Sequence, residues 1–252
     1  MARVTRLLRS VRQPAAPALG EWTVADVAMH LSQVWLALPA LAGGERRLSL
    51  PGIWSLGQAT LAAVGADPER DPAVLAGRIE ERAAPYLASL AGAPAAARPW
   101  LVEGTQVSPV TLTCHLLNEM LVHGWDIATA DRRPWELPAG AAAAAFEGFV
   151  VPVLQTLDPR DMVDQAAAGE GATYEVRVRG GGRHLFTFDD GGLAVGAPTG
   201  RADCVIAADP SALLLVVWGR IAQGDAVAAG RLVVSTRGGW HGPELGALLR
   251  NP

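Results

Sequence analysis

The chain has 252 residues, half of them hydrophobic, with 25 acidic and 21 basic residues and a net charge of −4. This length suits one large or two small domains, with enough apolar material for a sizeable core. The modest negative charge argues against a nucleic-acid partner and against an electrostatic membrane surface. No apolar run of about 18 residues is free of charge, and no signal-peptide core is present. We therefore expect a cytoplasmic protein without a transmembrane helix.

The first part of the chain has helical periodicity. Helices are predicted over residues 3–12, 24–42, 53–65, 72–91, 111–128 and 139–157. Thr23 is a candidate N-cap with Asp26 three residues later, which is close to a capping box. Asp26 also lies one turn before His30 and could orient its ring, although capping is the more common role. The Pro-, Ala- and Gly-rich segment 92–109 is predicted to be a loop.

The helix predicted over Thr111–Ala128 carries an unusual polar stripe. At about 100° per residue, four polar side chains fall within an arc of about 80° on an otherwise apolar helix, namely His115, Glu119, His123 and Asp126. Polar groups on a buried helix need partners. Glu119 and His123 stand one turn apart on the same face, so they could bind one metal ion. Hydrogen-bonded core histidines or a simple ion pair are the alternatives.

The pattern changes near residue 158 from helical to strand-like. Strands are predicted over 174–178, 183–188, 202–207 and 231–235, with helices over 211–222 and 243–250. The expected fold class is a two-domain α plus α/β protein, with an N-terminal helical bundle over 1–158 and a small α+β domain over 171–252. Cys114 and Cys204 lack metal-type spacing and are interpreted as buried small hydrophobes.

Two segments together, EWTVADVAMHL (21–31) and LNEMLVHGWDIA (117–128), resemble the mycothiol-dependent maleylpyruvate isomerase family. The segments ADCVIAADPSALLLVVWGR and GRLVVS resemble the C-terminal domain of that family. The resemblance implies a DinB-like four-helix bundle followed by a sterol-carrier-like domain. It also implies a divalent metal, typically zinc, held by His30, Glu119 and His123. Two histidines and one carboxylate leave a coordination position open, as in catalytic zinc sites.

The resemblance further implies mycothiol, a low-molecular-weight thiol, as cofactor. The thiol would become a thiolate on the metal and attack a small electrophilic, maleylpyruvate-like substrate. Addition to a cis double bond, rotation and elimination would give an isomerase, whereas release of the adduct would give a thiol transferase. A hydrolase using metal-bound water and a non-catalytic lipid- or small-molecule-binding protein remain as alternatives. We expect a monomer or a small homo-oligomer.

The remaining candidate residues have less specific roles. His115 is interpreted as a residue that lines the pocket or packs in the core, with a supporting contact behind the ligands as the third option. Asp126 could accept a hydrogen bond from a ligand imidazole, cap the helix or pair with Arg132. Candidates for binding a substrate carboxylate are Arg82, Arg220 and Arg231, although a solvated surface arginine is the simpler interpretation of each.

Overall fold

The computed structural model describes residues 1–45, 49–90, 96–164, 171–238 and 244–250. Its contacts divide the chain into two units, Met1–Leu137 and Pro138–Pro252. The first unit is helical and the second contains a mixed sheet with helices. The predicted combination of a helical N-terminal domain and a C-terminal α/β domain is thereby confirmed.

The first unit is built around four longer helices. Its helices are α1 Ala2–Leu8, α2 Val24–Ala42, α3 Leu56–Ala66, α4 Pro72–Ser89 and α5 Pro109–Ala130, with a 3₁₀ turn at Ile53–Ser55. Two short antiparallel hairpins accompany them, β1 Pro17–Leu19 with β2 Trp22–Thr23, and β3 Arg98–Pro99 with β4 Gln106–Val107. Helix α2 packs against α3, α4 and α5, so it is the central helix of the bundle.

Side-chain caps fix where these helices begin. The Thr23 hydroxyl accepts the backbone N–H of Asp26 at 3.2 Å, and the Asp26 carboxylate accepts the backbone N–H of Thr23 at 3.0 Å. This reciprocal pair satisfies two amides that have no partner inside helix α2. Asp26 also accepts a hydrogen bond from Arg70. Of the two roles considered for Asp26, the structure therefore shows the capping role.

Helix α2 is an exception to the expectation that no segment resembles a membrane span. By length and composition alone it is apolar enough to cross a membrane, with a mean hydropathy of 1.3. In the structure 56% of that segment is buried inside the bundle. The core helix of a bundle has the same composition, because it is surrounded by apolar neighbours on several sides.

The second unit combines five strands with short helices among its described residues. The strands are β5 Ala172–Val178, β6 Arg183–Asp189, β7 Gly192–Gly196, β8 Cys204–Ala208 and β9 Leu232–Thr236. They form one sheet in the order β7-β6-β5-β8-β9, in which β5 and β8 are parallel and the other neighbours antiparallel. The helices are α6 Ala139–Ala145, α7 Val151–Leu154, α8 Pro210–Val217, α9 Gln223–Ala228 and α10 Leu245–Leu248, with a π-turn, Phe146–Val150, joining α6 to α7.

The helical segment 139–154 lies in the second unit, whereas the sequence-based boundary between 158 and 171 placed it with the bundle. The reason is its packing on the sheet. The ring of Phe146 stacks on that of Phe186 in β6 at 6.5 Å, and the carboxylate of Glu147 accepts the backbone N–H of Gly182. The predictions made for residues 91–95, 165–170 and 243 lie outside the described residues.

Candidate metal centre

Three side chains from two packed helices converge on one point of the bundle. His30 comes from α2, and Glu119 and His123 stand one turn apart on α5. Oε2 of Glu119 lies 3.0 Å from Nε2 of His30 and 3.3 Å from Nε2 of His123. One ligand-type atom from each of the three side chains lies within 4.8 Å of the other two. The structure thus brings together the three residues that the family resemblance implied as ligands.

The cluster is largely buried but not sealed. The side chains of His30 and Glu119 are each 13% exposed, and that of His123 is 11% exposed. The two imidazole rings meet edge to face at 4.8 Å, and the indole of Trp22 lies 5.4 Å from the ring of His30. A small molecule therefore has a limited approach to these atoms, beside an aromatic ring.

Asp126 supports His123 from behind. Its Oδ2 atom lies 2.9 Å from Nδ1 of His123, and its side chain is only 2% exposed. Nδ1–H donates to this carboxylate, which directs Nε2 of the ring toward Glu119. Of the roles considered for Asp126, the structure shows a contact with the imidazole of His123.

His115 contacts the same carboxylate through its other oxygen. Its Nε2 atom lies 3.3 Å from Oε1 of Glu119, while its Nδ1 atom accepts the indole N–H of Trp100 at 3.4 Å. The sequence interpretation favoured pocket lining or core packing for His115, with a supporting contact as the third option. In the structure Glu119 lies between His115 and His123, and each of its oxygens faces one of the two histidines. Trp100 was missed because it lies outside the helical pattern.

Burial and mutual hydrogen bonds shift the pKa values of the ionisable groups in the cluster. Burial lowers the pKa of His30. Burial alone would raise the pKa of the Glu119 carboxyl, but hydrogen bonds with His115, His123 and His30 hold it well below its usual range. Burial likewise opposes charge on His123, yet its hydrogen bonds with Asp126 and Glu119 raise its pKa to about 9.

The arginines considered for a substrate carboxylate each have intramolecular partners. Arg82 donates to the carbonyl and hydroxyl oxygens of Ser32, Arg220 donates to the carbonyl of Trp218, and Arg231 pairs with Asp209 at 2.7 Å. Asp209 is itself the N-cap of α8. Each arginine thus has an intramolecular partner, and the role of any of them in binding a substrate carboxylate stays a prediction.

The donor set of the cluster fits a divalent metal. Donor atoms 2.0–2.2 Å from a tetrahedral zinc ion are separated by roughly 3.3–3.6 Å, close to the nitrogen–oxygen distances observed around Oε2. A histidine that binds a metal through one ring nitrogen is usually oriented by a carboxylate at its other ring nitrogen. The buried Asp126 has that position relative to His123. Among the described residues, the cluster of His30, Glu119 and His123 could hold such an ion.

Fold and cluster together define a class of protein: a helical bundle with a candidate two-histidine, one-glutamate metal centre, followed by an α/β domain. Residues 1–128 match the family described as the mycothiol maleylpyruvate isomerase N-terminal domain. The chain belongs to that family. Residues 153–235 match the SCP-2 sterol transfer family. Both matches agree with the resemblance seen in the sequence motifs.

Comparison with solved structures gives distant similarities. One is the crystal structure of the mycothiol-dependent maleylpyruvate isomerase, with a TM-score of 0.48 and 12% identity over 93% of this chain and 88% of that chain. Another is a stereoselective inverting sec-alkylsulfatase from Pseudomonas sp., with a TM-score of 0.29 and 13% identity over 51% of this chain and 22% of that chain. A third is a double mutant of a sec-alkyl sulfatase, with a TM-score of 0.32 and 14% identity over 84% of this chain and 30% of that chain. The comparison with curated proteins found no match.

Proposed function

We propose that this protein is a metal- and mycothiol-dependent enzyme that isomerises a small electrophilic, maleylpyruvate-like substrate or transfers a thiol to it. The observation that carries the proposal is the convergence of His30, Glu119 and His123 on one point in a chain of this family. Two nitrogens and one carboxylate oxygen are a ligand set that leaves room for an exogenous ligand.

The residues of the chain have distinct tasks in this proposal. His30 and His123 would present Nε2 to the ion, and Glu119 would present Oε2. Asp126 would hold the ring of His123 in the tautomer whose Nε2 lone pair is available. The bound ion would keep a coordinated thiol deprotonated, and that thiol would supply the nucleophile for addition to an electrophilic carbon.

Neither cysteine thiol is activated to supply the sulfur. Cys204 is buried in strand β8 of the second unit, and burial raises the pKa of its thiol. Burial likewise raises the pKa of the Cys114 thiol, so it is not activated as a thiolate. Both cysteines are unpaired, as expected in a reducing compartment, and we retain the cytoplasm as the proposed location.

The proposal is tested first by metal analysis of the purified protein. We expect one divalent metal per chain in the wild type and a near-complete loss in His123→Ala, because two remaining ligands bind weakly. His184→Ala is the matched control, since it removes a histidine of the second unit and should leave the metal in place. Equal, full occupancy in wild type and His123→Ala would exclude this centre.

Thiol use is then tested by cobalt substitution. Adding mycothiol to the cobalt form should produce a sulfur-to-metal charge-transfer band, which Glu119→Gln should weaken or abolish. Absence of the band, together with activity that does not need thiol, would favour a hydrolase using metal-bound water. Retention of a lipid by metal-free protein would instead favour a carrier, a function suggested by the SCP-2 match over 153–235.

A further inference from the structure

Glu119 uses its two carboxylate oxygens for different neighbours. Oε2 faces the two proposed ligand histidines, at 3.0 Å from His30 and 3.3 Å from His123. Oε1 faces His115 at 3.3 Å, on the other side of the carboxylate. The contact with His115 therefore fixes the rotation of the carboxylate group about its terminal bond, a torsion that is otherwise broad.

The proton on His115 has a defined position. An indole N–H can only donate, so the contact from Trp100 requires Nδ1 of His115 to be the acceptor. In the neutral ring the proton is then on Nε2, where it donates to Oε1 of Glu119. Trp100, His115 and Glu119 thus form a directed chain of hydrogen bonds that ends on the carboxylate.

Trp100 is itself held firmly. It is 2% exposed and follows directly on strand β3, and its backbone N–H donates to the carbonyl of Thr105 at 2.9 Å, which closes the β3–β4 hairpin. The side chain of His115 is only 7% exposed. Both members of the chain are therefore fixed by packing, as required of groups that hold a third one in place.

We propose that Trp100 and His115 are positioning residues of the metal centre, which keep Oε1 of Glu119 engaged so that Oε2 alone faces the ion. The inference rests on the proposed metal site. A carboxylate free to rotate would present both oxygens and fill the position that an exogenous thiol needs. His115 is not a fourth ligand, because both of its ring nitrogens are occupied and it is not part of the three-residue cluster.

The experiment compares metal binding in variants that break the chain at different points. His115→Leu removes the donor to Glu119, His115→Gln keeps an N–H donor there, and Trp100→Phe removes only the indole N–H. Trp35→Phe is the matched control, because the buried Trp35 also donates its N–H to another side chain, the sulfur of Met120. Dissociation constants are measured by competition with a chromophoric chelator, and cobalt spectra report the coordination number.

We expect His115→Leu to weaken metal binding by about 10–100-fold, the usual effect of removing a group that orients a ligand. Its cobalt spectrum should lose visible intensity, as expected when a second carboxylate oxygen joins the ion. Trp100→Phe should change the metal affinity and the cobalt spectrum in the same direction. His115→Gln and Trp35→Phe should keep an affinity and a spectrum close to those of the wild type. A nitrogen-15 spectrum of the metal-free protein should show His115 protonated at Nε2 and changed in Trp100→Phe. Thermal unfolding of the metal-free variants separates a loss of folding from a loss of positioning.

The outcomes separate this inference from the proposed function. Wild-type affinity and spectrum in a folded His115→Leu variant would overturn the positioning role while leaving the metal centre intact. His115 protonated at Nδ1 in the wild type would also overturn it. A wild-type protein that binds no divalent metal would overturn the proposed function, and the positioning role with it.

Discussion

At the scale of single residues, hydrogen bonds in the cluster around Glu119 stabilise charged side chains that burial alone would neutralise. Glu119 is held as a carboxylate by three histidines, and His123 is held as an imidazolium by two carboxylates. His30, whose pKa is lowered by burial, is neutral at neutral pH. Without a metal, the protonated Nε2 of His123 faces Oε2 of Glu119 at 3.3 Å. A divalent ion would take the place of the proton on His123.

Metal binding should consequently release a proton from His123. Its pKa of about 9 means that the ring is protonated at pH 7.5, whereas a metal ligand must be neutral. The apparent metal affinity should therefore rise with pH up to about 9 and level off above it. Calorimetric titration in buffers with different ionisation enthalpies measures the number of protons released, which we expect to be close to one.

Asp126→Asn is the matched variant for this measurement. It removes the carboxylate that raises the pKa of His123, so fewer protons should be released at pH 7.5. It also removes the group that orients the ring, so the affinity should fall as well. Proton release that is independent of Asp126 would show that another group titrates.

Part of this site could be predicted from the sequence. The i,i+4 spacing of Glu119 and His123 on a buried helix, with Asp126 on the same stripe, indicated a polar cluster that needs partners. His30 could be identified only through the family motif, because spacing along one helix does not reveal which neighbouring helix packs against it. The contact of His115 with Trp100 could not be predicted for the same reason, since Trp100 comes from a hairpin within a segment expected to be a loop.

At the scale of elements, helix boundaries with strong caps were predicted well. Helix α2 begins and ends where its N-cap and apolar pattern predicted, at Val24 and Ala42. Some strands were not predicted. β3 and β4 have two residues each and are too short to establish an alternating pattern. The edge strand β7 has five residues but begins and ends with glycine, a residue typical of turns.

Gly124 has a specific packing role on α5. A Cβ atom at this position would lie 3.0 Å from Cγ2 of Val4 and 3.2 Å from Cζ2 of Trp135. Gly124→Ala should therefore destabilise the protein by about 1–3 kcal/mol from overpacking, reduced by the roughly 1 kcal/mol that alanine gains in a helix. Gly77→Ala in α4 is the control, because no atom lies within 4 Å of its Cβ position.

The comparison is made by chemical denaturation of both variants. Gly77→Ala should raise the free energy of unfolding by up to about 1 kcal/mol, because it gains the helix propensity without the clash. The free energy of unfolding of Gly124→Ala should be lower than that of the wild type. Equal stabilisation by both substitutions would mean that α1 and Trp135 move to accommodate the extra methyl group without loss of stability.

At the scale of the whole molecule, the three proposed ligands all lie in residues 1–137, while the sheet lies in residues 138–252. The segment 139–154 contributes a large share of the apolar core of the second unit. Its large buried side chains are Phe146, Phe149, Val150, Val151, Val153 and Leu154. At about 1.5–3 kcal/mol each, they sum to roughly 9–18 kcal/mol as an upper estimate, comparable to the total stability of a domain.

Fragments cut between residues 137 and 138 should therefore each fold independently. Fragment 138–252 should unfold cooperatively in a thermal melt, whereas fragment 171–252, which starts at the boundary predicted from the sequence, should lack a cooperative transition. Fragment 1–137 should bind the divalent metal by itself. A cooperative melt of fragment 171–252 would show that the helical segment is dispensable for the sheet. The sequence could not place this boundary, because helical periodicity does not indicate whether a helix packs on other helices or on a sheet.

The π-turn at Phe146–Val150 also bears on the history of this domain. A π-turn holds one residue more than an α-turn, so it corresponds to a single residue inserted into an otherwise regular helix. Each residue after such an insertion is rotated by about 100° relative to those before it. Phe149, in the widened turn, stacks on Trp218, while Glu147 accepts the backbone N–H of Gly182. A lineage in which the inserted residue has been deleted would turn a different face of Val151–Leu154 toward the sheet, and would need compensating changes opposite that face.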